Sequence, residues 1–184
     1  MPLILSNPSE FELIEKKSRF IGHAFNISSE DEAKDIISKI RHKHNSANHN
    51  CFAYSIGSIT RASDDGEPSG TAGMPILNVY QKSDVINFLC VVTRYFGGIM
   101  LGAGGLIRAY TKSAKGAMDE ANPMEQIIYH TFEIKIPYSN HDKVKHQFKK
   151  TGIEILNAEF TDIVTMTVRV KDADLLTFTN MQLI

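Results

Sequence analysis

The sequence predicts an α+β protein with two domains. Segments with an apolar residue at every second position, typical of strands, are interspersed with segments whose apolar residues recur every three or four positions, typical of helices. This pattern stops at Asn122-Pro123, a helix-breaking pair, and then starts again, which indicates a domain boundary. The 184 residues, 42% of them apolar and 22% charged, suffice for one large or two small domains and argue against a disordered or fibrous chain.

Residues 1–122 are expected to form the first domain. Ser29 and Glu32 have the spacing of a capping box and precede an apolar stripe that ends at Ile40, so a helix is expected there. The segment 84–96 is strongly apolar along its length, which predicts a central strand. In chain order we expect strands at 11–15 and 18–27, the helix after Ser29, a strand at 51–56, a long loop at 58–74, a short helix at 75–81, the strand at 84–96, a glycine-rich loop at 97–105 and a helix at 106–120.

Residues 127–184 are expected to form a smaller, ferredoxin-like domain. Apolar and polar residues alternate at 132–136 and 164–170, as in strands with one buried face, and a helix capped by Ser139 or Asn140 should end at Gly152. The expected order is a strand at 132–136, this helix, strands at 153–160 and 164–170, and a short helix at 172–181. A ferredoxin-like unit has one more strand, which would follow Ile184, so either the chain is truncated or the domain is degenerate.

Charge and composition narrow the classes of function. The formal net charge of −1 means that any anion site must be local, because the chain as a whole is not basic. No segment approaches the roughly 18–20 apolar residues of a membrane span, and the N-terminus has no signal-peptide pattern. Cys51 and Cys90 form neither a disulfide framework nor a zinc motif, so we expect two reduced core residues in a cytoplasmic protein.

The segment 91–108 is the first candidate site, because an apolar strand enters a glycine-rich loop that leads into a helix. Glycines let backbone N–H groups approach an anion, and a helix start adds a positive dipole. The segment matches neither a Walker A motif nor a dinucleotide fingerprint. A tight turn with positive φ angles, beside a solvated basic helix face, is the alternative interpretation. The expected RNA- or phosphate-binding residues are Arg94, Gly97, Gly98, Gly102, Gly104, Gly105 and Arg108, with Arg19, Lys112 and Lys115 extending the basic surface.

The carboxylates of Asp64, Asp65 and Glu67 are the second candidate site. They could hold a hard cation such as Mg²⁺. We favour a charged turn whose Asp side chains accept backbone hydrogen bonds, and an ion pair with Arg94 or Arg19 could also order the loop. Catalytic residues, cofactors and metal ligands are not expected, because no nucleophile motif is present and the histidines lack a metal-binding spacing. These histidines are His42, His44 and His49.

At these motifs the sequence resembles the IMPACT/YigZ family. The matching segments are residues 18–21 (Ser-Arg-Phe-Ile), 49–54, 64–73 (Asp-Asp-Gly-Glu-Pro-Ser-Gly-Thr-Ala-Gly) and 91–110. Residues 10–120 resemble the family's N-terminal domain, and residues 127–184 resemble the C-terminal domain of its bacterial branch. The resemblance implies a first domain like domain 2 of ribosomal protein S five and a ferredoxin-like second domain like domain V of elongation factor G.

The resemblance also implies a function. Eukaryotic relatives regulate translation, and nucleic-acid or ribosome binding is suggested for the bacterial branch. We therefore expect a non-enzymatic, cytoplasmic protein that associates with RNA or the ribosome and regulates translation, without a membrane partner. One alternative is a protein–protein regulator that acts through the acidic residues 64–67. Another is an enzyme for a phosphorylated small molecule, with phosphate at the glycines and Mg²⁺ at the carboxylates.

Overall fold

The structure, a computed structural model, describes residues 2–175 and 178, and the chain divides into two compact units, Met1–Gln126 and Ile127–Ile184. The α+β class is confirmed, because antiparallel sheets and helices occur together in both units. The strands are β1 (Leu3–Leu5), β2 (Ser9–Glu15), β3 (Ser18–Asn26), β4 (His49–Ile56), β5 (Ile59–Ser63), β6 (Phe88–Tyr95), β7 (Pro123–Glu125), β8 (Tyr129–Ile136), β9 (Glu154–Phe160) and β10 (Val164–Lys171). The helices are α1 (Glu30–Lys43), α2 (Gly73–Lys82), α3 (Ala103–Glu120) and α4 (His141–Thr151).

The main sheet of the first unit has the strand order β2-β3-β6-β4-β5, and every neighbouring pair is antiparallel. Strand β6 lies in the centre, as the apolar segment predicts, and its residues from Phe88 to Arg94 are buried. Helices cover both faces of this strand, which explains why its sequence does not alternate.

Helices α2 and α3 pack on one face of the sheet, and α1 packs on the other. On the first face, Phe20 of β3 meets Tyr110 of α3 edge-on, with ring centroids 5.2 Å apart. Gly22 allows α3 to approach β3 closely, because a Cβ atom there would lie 2.7 Å from a backbone oxygen of α3. On the second face, Ile37 and Ile40 of α1 join a separate apolar cluster with the sheet.

Helix α1 begins as its sequence predicts, although its capping bonds differ from a standard capping box. The Ser29 hydroxyl accepts the Glu32 N–H at 3.1 Å, which is half of the motif. The Glu32 carboxylate accepts instead from the N–H and the hydroxyl of Ser28, at 2.8 and 2.7 Å. These three bonds fix the entry of the chain into α1.

Several elements of the first unit differ from the sequence prediction, which had no strand at Leu3–Leu5 and started the central strand at residue 84 and not at Phe88. Strand β5 lies inside the predicted 58–74 loop, where it forms a hairpin with β4. Helix α3 starts at Ala103, so Gly104 and Gly105 are helical and do not belong to the loop. Strand β7 follows Asn122 but pairs with β1, which makes it part of the first unit.

The second unit contains a three-stranded antiparallel sheet with the order β8-β10-β9. Val144 and Phe148 of α4 pack on one face of this sheet, and α4 ends at Gly152 in the left-handed conformation, as predicted. Neither Ser139 nor Asn140 caps α4 through its side chain, because a 3-10 turn, Tyr138–Asn140, leads into the helix. The predicted 172–181 helix lies largely outside the described residues, as does the strand expected after Ile184.

Candidate functional site

The acidic loop, defined here as residues 64–67, is held to the core by its last carboxylate. Glu67 lies 3% exposed, and its Oε1 atom accepts a hydrogen bond from Arg94 Nη1 at 2.6 Å and one from the Tyr110 hydroxyl at 2.7 Å. Arg94 belongs to β6 and Tyr110 to α3, so this carboxylate ties the loop to two core elements. Buried charges are normally paired in this way, because an unpaired one is strongly destabilising.

Asp64 closes the loop onto the start of α2. Its carboxylate accepts backbone N–H bonds from Gly70, Ala72 and Gly73 at 2.8, 3.0 and 2.8 Å. Burial raises the pKa of this carboxyl, but the three N–H donors outweigh burial, and the pKa lies below its usual value. Asp64 is therefore ionised at neutral pH and orders the segment between β5 and α2.

Asp65 has its own partners, and the acidic loop leaves little room for a cation. Its carboxylate accepts from Arg41 Nη2 at 2.7 Å and from the Asn50 N–H at 2.7 Å. All three carboxylates of the loop are thus bound by protein donors. Among residues 2–175 and 178, no group of three or more His, Cys, Asp or Glu side chains is placed to hold a metal ion. The Mg²⁺ interpretation of Asp64, Asp65 and Glu67 is therefore not supported by their geometry.

Arg94, expected to contact an anionic ligand, lies inside the protein. Its side chain is 7% exposed, and its guanidinium is ion-paired with Glu67 and flanked by the rings of Phe20 and Phe96 at 5.3 and 5.6 Å. An RNA phosphate cannot reach this group without separating a buried ion pair. We correct the sequence expectation accordingly: Arg94 orders the acidic loop and is not part of an exposed basic surface.

The glycine loop, residues 96–102, connects β6 to α3 and is anchored at its base. Gly97 packs against the β2–β3 turn so closely that a Cβ atom would lie 2.0 Å from the Lys17 carbonyl carbon. The Gly97 N–H donates to the Ser18 hydroxyl at 3.1 Å. Gly98 and Gly102 have φ angles of 82° and 70°, which favour glycine. The tight-turn interpretation therefore accounts for these three glycines.

The other two glycines lie in the first turn of α3. Gly105 lets this turn approach Leu101, since a Cβ atom would lie 2.9 Å from the Leu101 Cβ. Gly104 is exposed, and a Cβ atom at this position would contact only the Arg108 guanidinium, at 3.5 Å. No side chain caps the start of α3. Its first N–H groups thus remain free of a side-chain partner, the arrangement in which helix starts bind anions.

Exposed cations surround this helix start. Lys16, Arg108 and Lys112 line a cleft of about 180 Å³ together with Gly105 and one acidic residue, Glu15, and we call it the basic cleft. None of these three cations forms an ion pair within the part of the chain that the structure describes. Sequence reasoning had singled out Arg108 and Lys112 but not Lys16, whose only sequence signal is its place in the β2–β3 turn.

The other two predicted cations are exposed but already paired. Arg19 pairs with Glu12 at 2.7 Å, and Lys115 pairs with Asp119 one helical turn later. Exposed pairs of this kind contribute little to stability, so the cations can exchange partners at low cost. At the tip of the glycine loop, Met100 is 83% exposed, next to the half-exposed Phe96 and Ile99.

The three histidines that lie close together in the sequence, His42, His44 and His49, have separate surroundings. His42 is exposed, His44 is buried and bonds the Tyr95 hydroxyl through Nδ1 at 2.9 Å, and His49 Nδ1 lies 2.9 Å from the Asp65 carbonyl oxygen. Sequence reasoning missed His23, whose ring centroid lies 5.4 Å from that of His44. Burial lowers the pKa of His23 to about 4, so it is neutral at physiological pH.

The fold and this geometry define a two-unit α+β protein with a buried ion pair beneath its acidic loop and a basic cleft at a helix start. The model of the Impact N-terminal domain matches residues 16–118, and the model of a domain of unknown function, DUF1949, matches residues 134–181. The chain belongs to the IMPACT family. No helix in the described residues is both long and apolar enough to cross a membrane.

Similar proteins support this membership over most of the chain. The IMPACT family member YvyE of Bacillus subtilis is 39% identical over 168 residues, which cover 90% of this chain and 77% of YvyE. The IMPACT family member YigZ of Escherichia coli is 30% identical over 168 residues, which cover 89% of this chain and 82% of YigZ. The crystal structure of a hypothetical protein matches with a TM-score of 0.67 and 29% identity, and it covers 96% of this chain and 88% of that one.

Proposed function

We propose that this protein is a non-enzymatic regulator of translation in the cytoplasm that associates with RNA or with the ribosome. The observation that carries the proposal is the basic cleft. Its three cations, Lys16, Arg108 and Lys112, are unpaired among the described residues and lie beside the uncapped start of α3 with a single carboxylate, Glu15, although the chain as a whole has a net charge of −1. Such a local concentration of positive charge attracts phosphate groups, and it binds polyanions in a salt-dependent way.

The role in translation comes from the family resemblance, and the geometry of the acidic loop favours it over the two alternatives. An enzyme that uses Mg²⁺ would need free carboxylate oxygens, whereas both oxygens of Asp64 and Asp65 and the Oε1 atom of Glu67 accept bonds from protein donors. A regulator that docks a basic partner through this loop would need accessible charge, whereas Glu67 is buried. The acidic loop therefore has a structural role in this proposal.

RNA binding across a salt series tests the proposal. A fluorescein-labelled, unstructured 30-nucleotide RNA is titrated with the wild-type protein and with the Arg108→Gln, Lys112→Gln variant, and anisotropy gives the affinity. Each lost phosphate contact should lower the slope of log affinity against log salt by about 0.7, so the double variant should lose about 1.4. The matched control is Lys34→Gln with Lys39→Gln, which removes two exposed lysines from α1, on the other face of the sheet.

Two results would contradict the proposed function. If the Arg108 and Lys112 variant binds with the affinity and salt slope of the wild type, the basic cleft is not the RNA site. Co-sedimentation tests the ribosome directly: the protein should pellet with ribosomal particles at low salt and leave them at high salt. A protein that stays in the supernatant at both salt concentrations contradicts ribosome association.

A further inference from the structure

The outward side of α4, in the second unit, carries a concentration of positive charge to which neither the sequence motifs nor the proposed function assigns a role. Val144 and Phe148, on the inward side of the helix, are buried in the core of this unit. The remaining surface presents four exposed lysines, which we call the lysine face: Lys143, Lys145, Lys149 and Lys150. His146 is exposed between them.

The lysine face is not neutralised by its surroundings. None of its four ammonium groups forms an ion pair with another described residue, and the only acidic residue of α4 is Asp142, in the first turn beside His141. Elsewhere in the unit Glu133 pairs with Lys135 and Glu154 pairs with Arg169, whereas Lys171, Glu159 and Asp162 form no ion pair among the described residues. Positive charge is therefore concentrated on one helix.

The fold does not require this arrangement. Lys145 and Lys149 are four positions apart, where two like charges destabilise a helix by a few tenths of a kcal/mol. A glutamate at position 145 would remove this repulsion without touching the core, whereas Lys149 and Lys150 lie in the last turn, where the helix dipole favours cations. The sequence keeps the repulsion, which is expected when the charge serves a ligand.

We propose that the lysine face binds the phosphate backbone of RNA and forms a second contact surface, separate from the basic cleft. The choice of RNA as ligand rests on the proposed function, whereas the location rests on α4 alone. Lys143 and Lys150 are about 10 Å apart along the helix axis, a length that covers about three phosphates of one strand. Lysine provides point charges without a fixed bonding plane, which suits contacts that do not depend on base sequence.

An anionic membrane is the other polyanion to consider, and the structure favours RNA over it. A helix that lies in a bilayer interface inserts its apolar side among the lipid chains. In α4 that side is occupied, because Val144 and Phe148 are buried in the core of the unit. Its outward side offers charge alone.

The test compares two full-length variants with the same change in net charge. In the first, all four lysines become glutamine (K143Q, K145Q, K149Q, K150Q), which removes four positive charges and keeps helix propensity. In the second, Lys135→Glu and Lys171→Glu change the charge by the same amount on the sheet surface that faces away from α4. Circular dichroism verifies that both variants are folded, and the RNA titration described above is repeated with each one.

We expect the lysine-face variant to bind RNA at least tenfold more weakly at low salt, with a salt slope lower by about 2 to 3. The control should lose much less, because a change in overall charge alone acts weakly at a distance. Equal losses in both variants, or none in the first, would overturn the proposal. The proposal would also be overturned if the lysine-face variant lost binding to vesicles of phosphatidylcholine and phosphatidylglycerol but bound RNA as well as the wild type.

The RNA affinities of the two variants distinguish failure of the lysine-face proposal from failure of the proposed function. If only the Arg108 and Lys112 variant loses affinity, the lysine face is refuted and the basic cleft stands. If only the lysine-face variant loses affinity, the basic cleft is refuted and the second unit is the site. If neither variant loses affinity, both proposals fail.

Discussion

Replacing Arg94 by methionine tests whether this arginine is structural, as its burial indicates, or binds a ligand, as its sequence context had suggested. In the folded protein its guanidinium lies 2.6 Å from the Glu67 carboxylate, and the two side chains are 7% and 3% exposed. The Arg94→Met variant leaves the carboxylate buried with the Tyr110 hydroxyl as its remaining close donor. Breaking a buried pair from one side destabilises a protein by about 3–5 kcal/mol.

Urea denaturation followed by circular dichroism measures this loss as a change in the free energy of unfolding. Glu67→Leu should destabilise by a similar amount, because it leaves the arginine unpaired. The double variant should lose at least about 2 kcal/mol less than the sum of the single losses, since neither charge then remains buried alone. Arg108→Gln is the matched control and should change stability by less than about 0.5 kcal/mol, because that arginine is exposed and unpaired within the described residues.

One combination of results would contradict a structural role of Arg94. If Arg94→Met weakens RNA binding while the free energy of unfolding falls by less than about 1 kcal/mol, then the guanidinium is available to a ligand. The ion pair with Glu67 would then be an exchangeable contact, and the acidic loop would need another anchor.

Two further predictions concern glycine packing and pH. Gly97→Ala should lower the thermal unfolding temperature sharply, because the new Cβ atom would lie 2.0 Å from the backbone of Lys17. Gly104→Ala should instead stabilise α3 by about 0.5–1 kcal/mol, because alanine favours a helix more than glycine does. Equal shifts of the unfolding temperature in the two variants would contradict the close packing of Gly97 against Lys17. The pKa of His23, lowered by burial from 6.5 to about 4, means that the unfolded chain binds a proton that the folded one does not. Acidification from pH 7 to pH 4 should therefore reduce the free energy of unfolding by up to about 3 kcal/mol through this residue, and His23→Gln should lose correspondingly less in urea titrations at the two pH values. Identical losses in the two proteins would show that His23 does not cause the effect.

Secondary-structure elements with a clear local sequence pattern could be predicted from the sequence. The strongly apolar segment at 84–96 predicted a central strand, and Gly152 predicted the end of α4. Strand β5 was not predictable, because its residues are mostly exposed and only its pairing with β4 makes it a strand. The start of α3 was placed too late because Gly104 and Gly105 are poor helix formers, although both lie in its first turn, where Gly105 packs against Leu101.

The candidate site shows the same division between local and long-range determinants. An arginine inside an apolar strand is visible in the sequence, and an ion pair between Arg94 and the acidic loop was one of the stated alternatives. The selection of Glu67 as its partner depends on chain segments 27 positions apart, which only the fold brings together. Lys16 was overlooked for the same reason, since nothing in the sequence indicates that the β2–β3 turn lies beside the start of α3.

The positions of the charges also limit how strongly salt can affect RNA binding. Pairing within the chain removes Arg19, Arg94 and Lys115 from the basic surface that the sequence predicts. The three cations of the basic cleft and the four of the lysine face remain unpaired within the described residues. At about 0.7 per phosphate contact with a single strand, these seven cations account for a slope of log affinity against log salt of about 5. A measured slope well beyond 5 would mean that further cations contact RNA, either exposed ones without an ion pair, such as Lys17, or paired ones, such as Arg19. If Arg19 is among them, Glu12→Gln should raise affinity at low salt, because the arginine would no longer have to leave its partner.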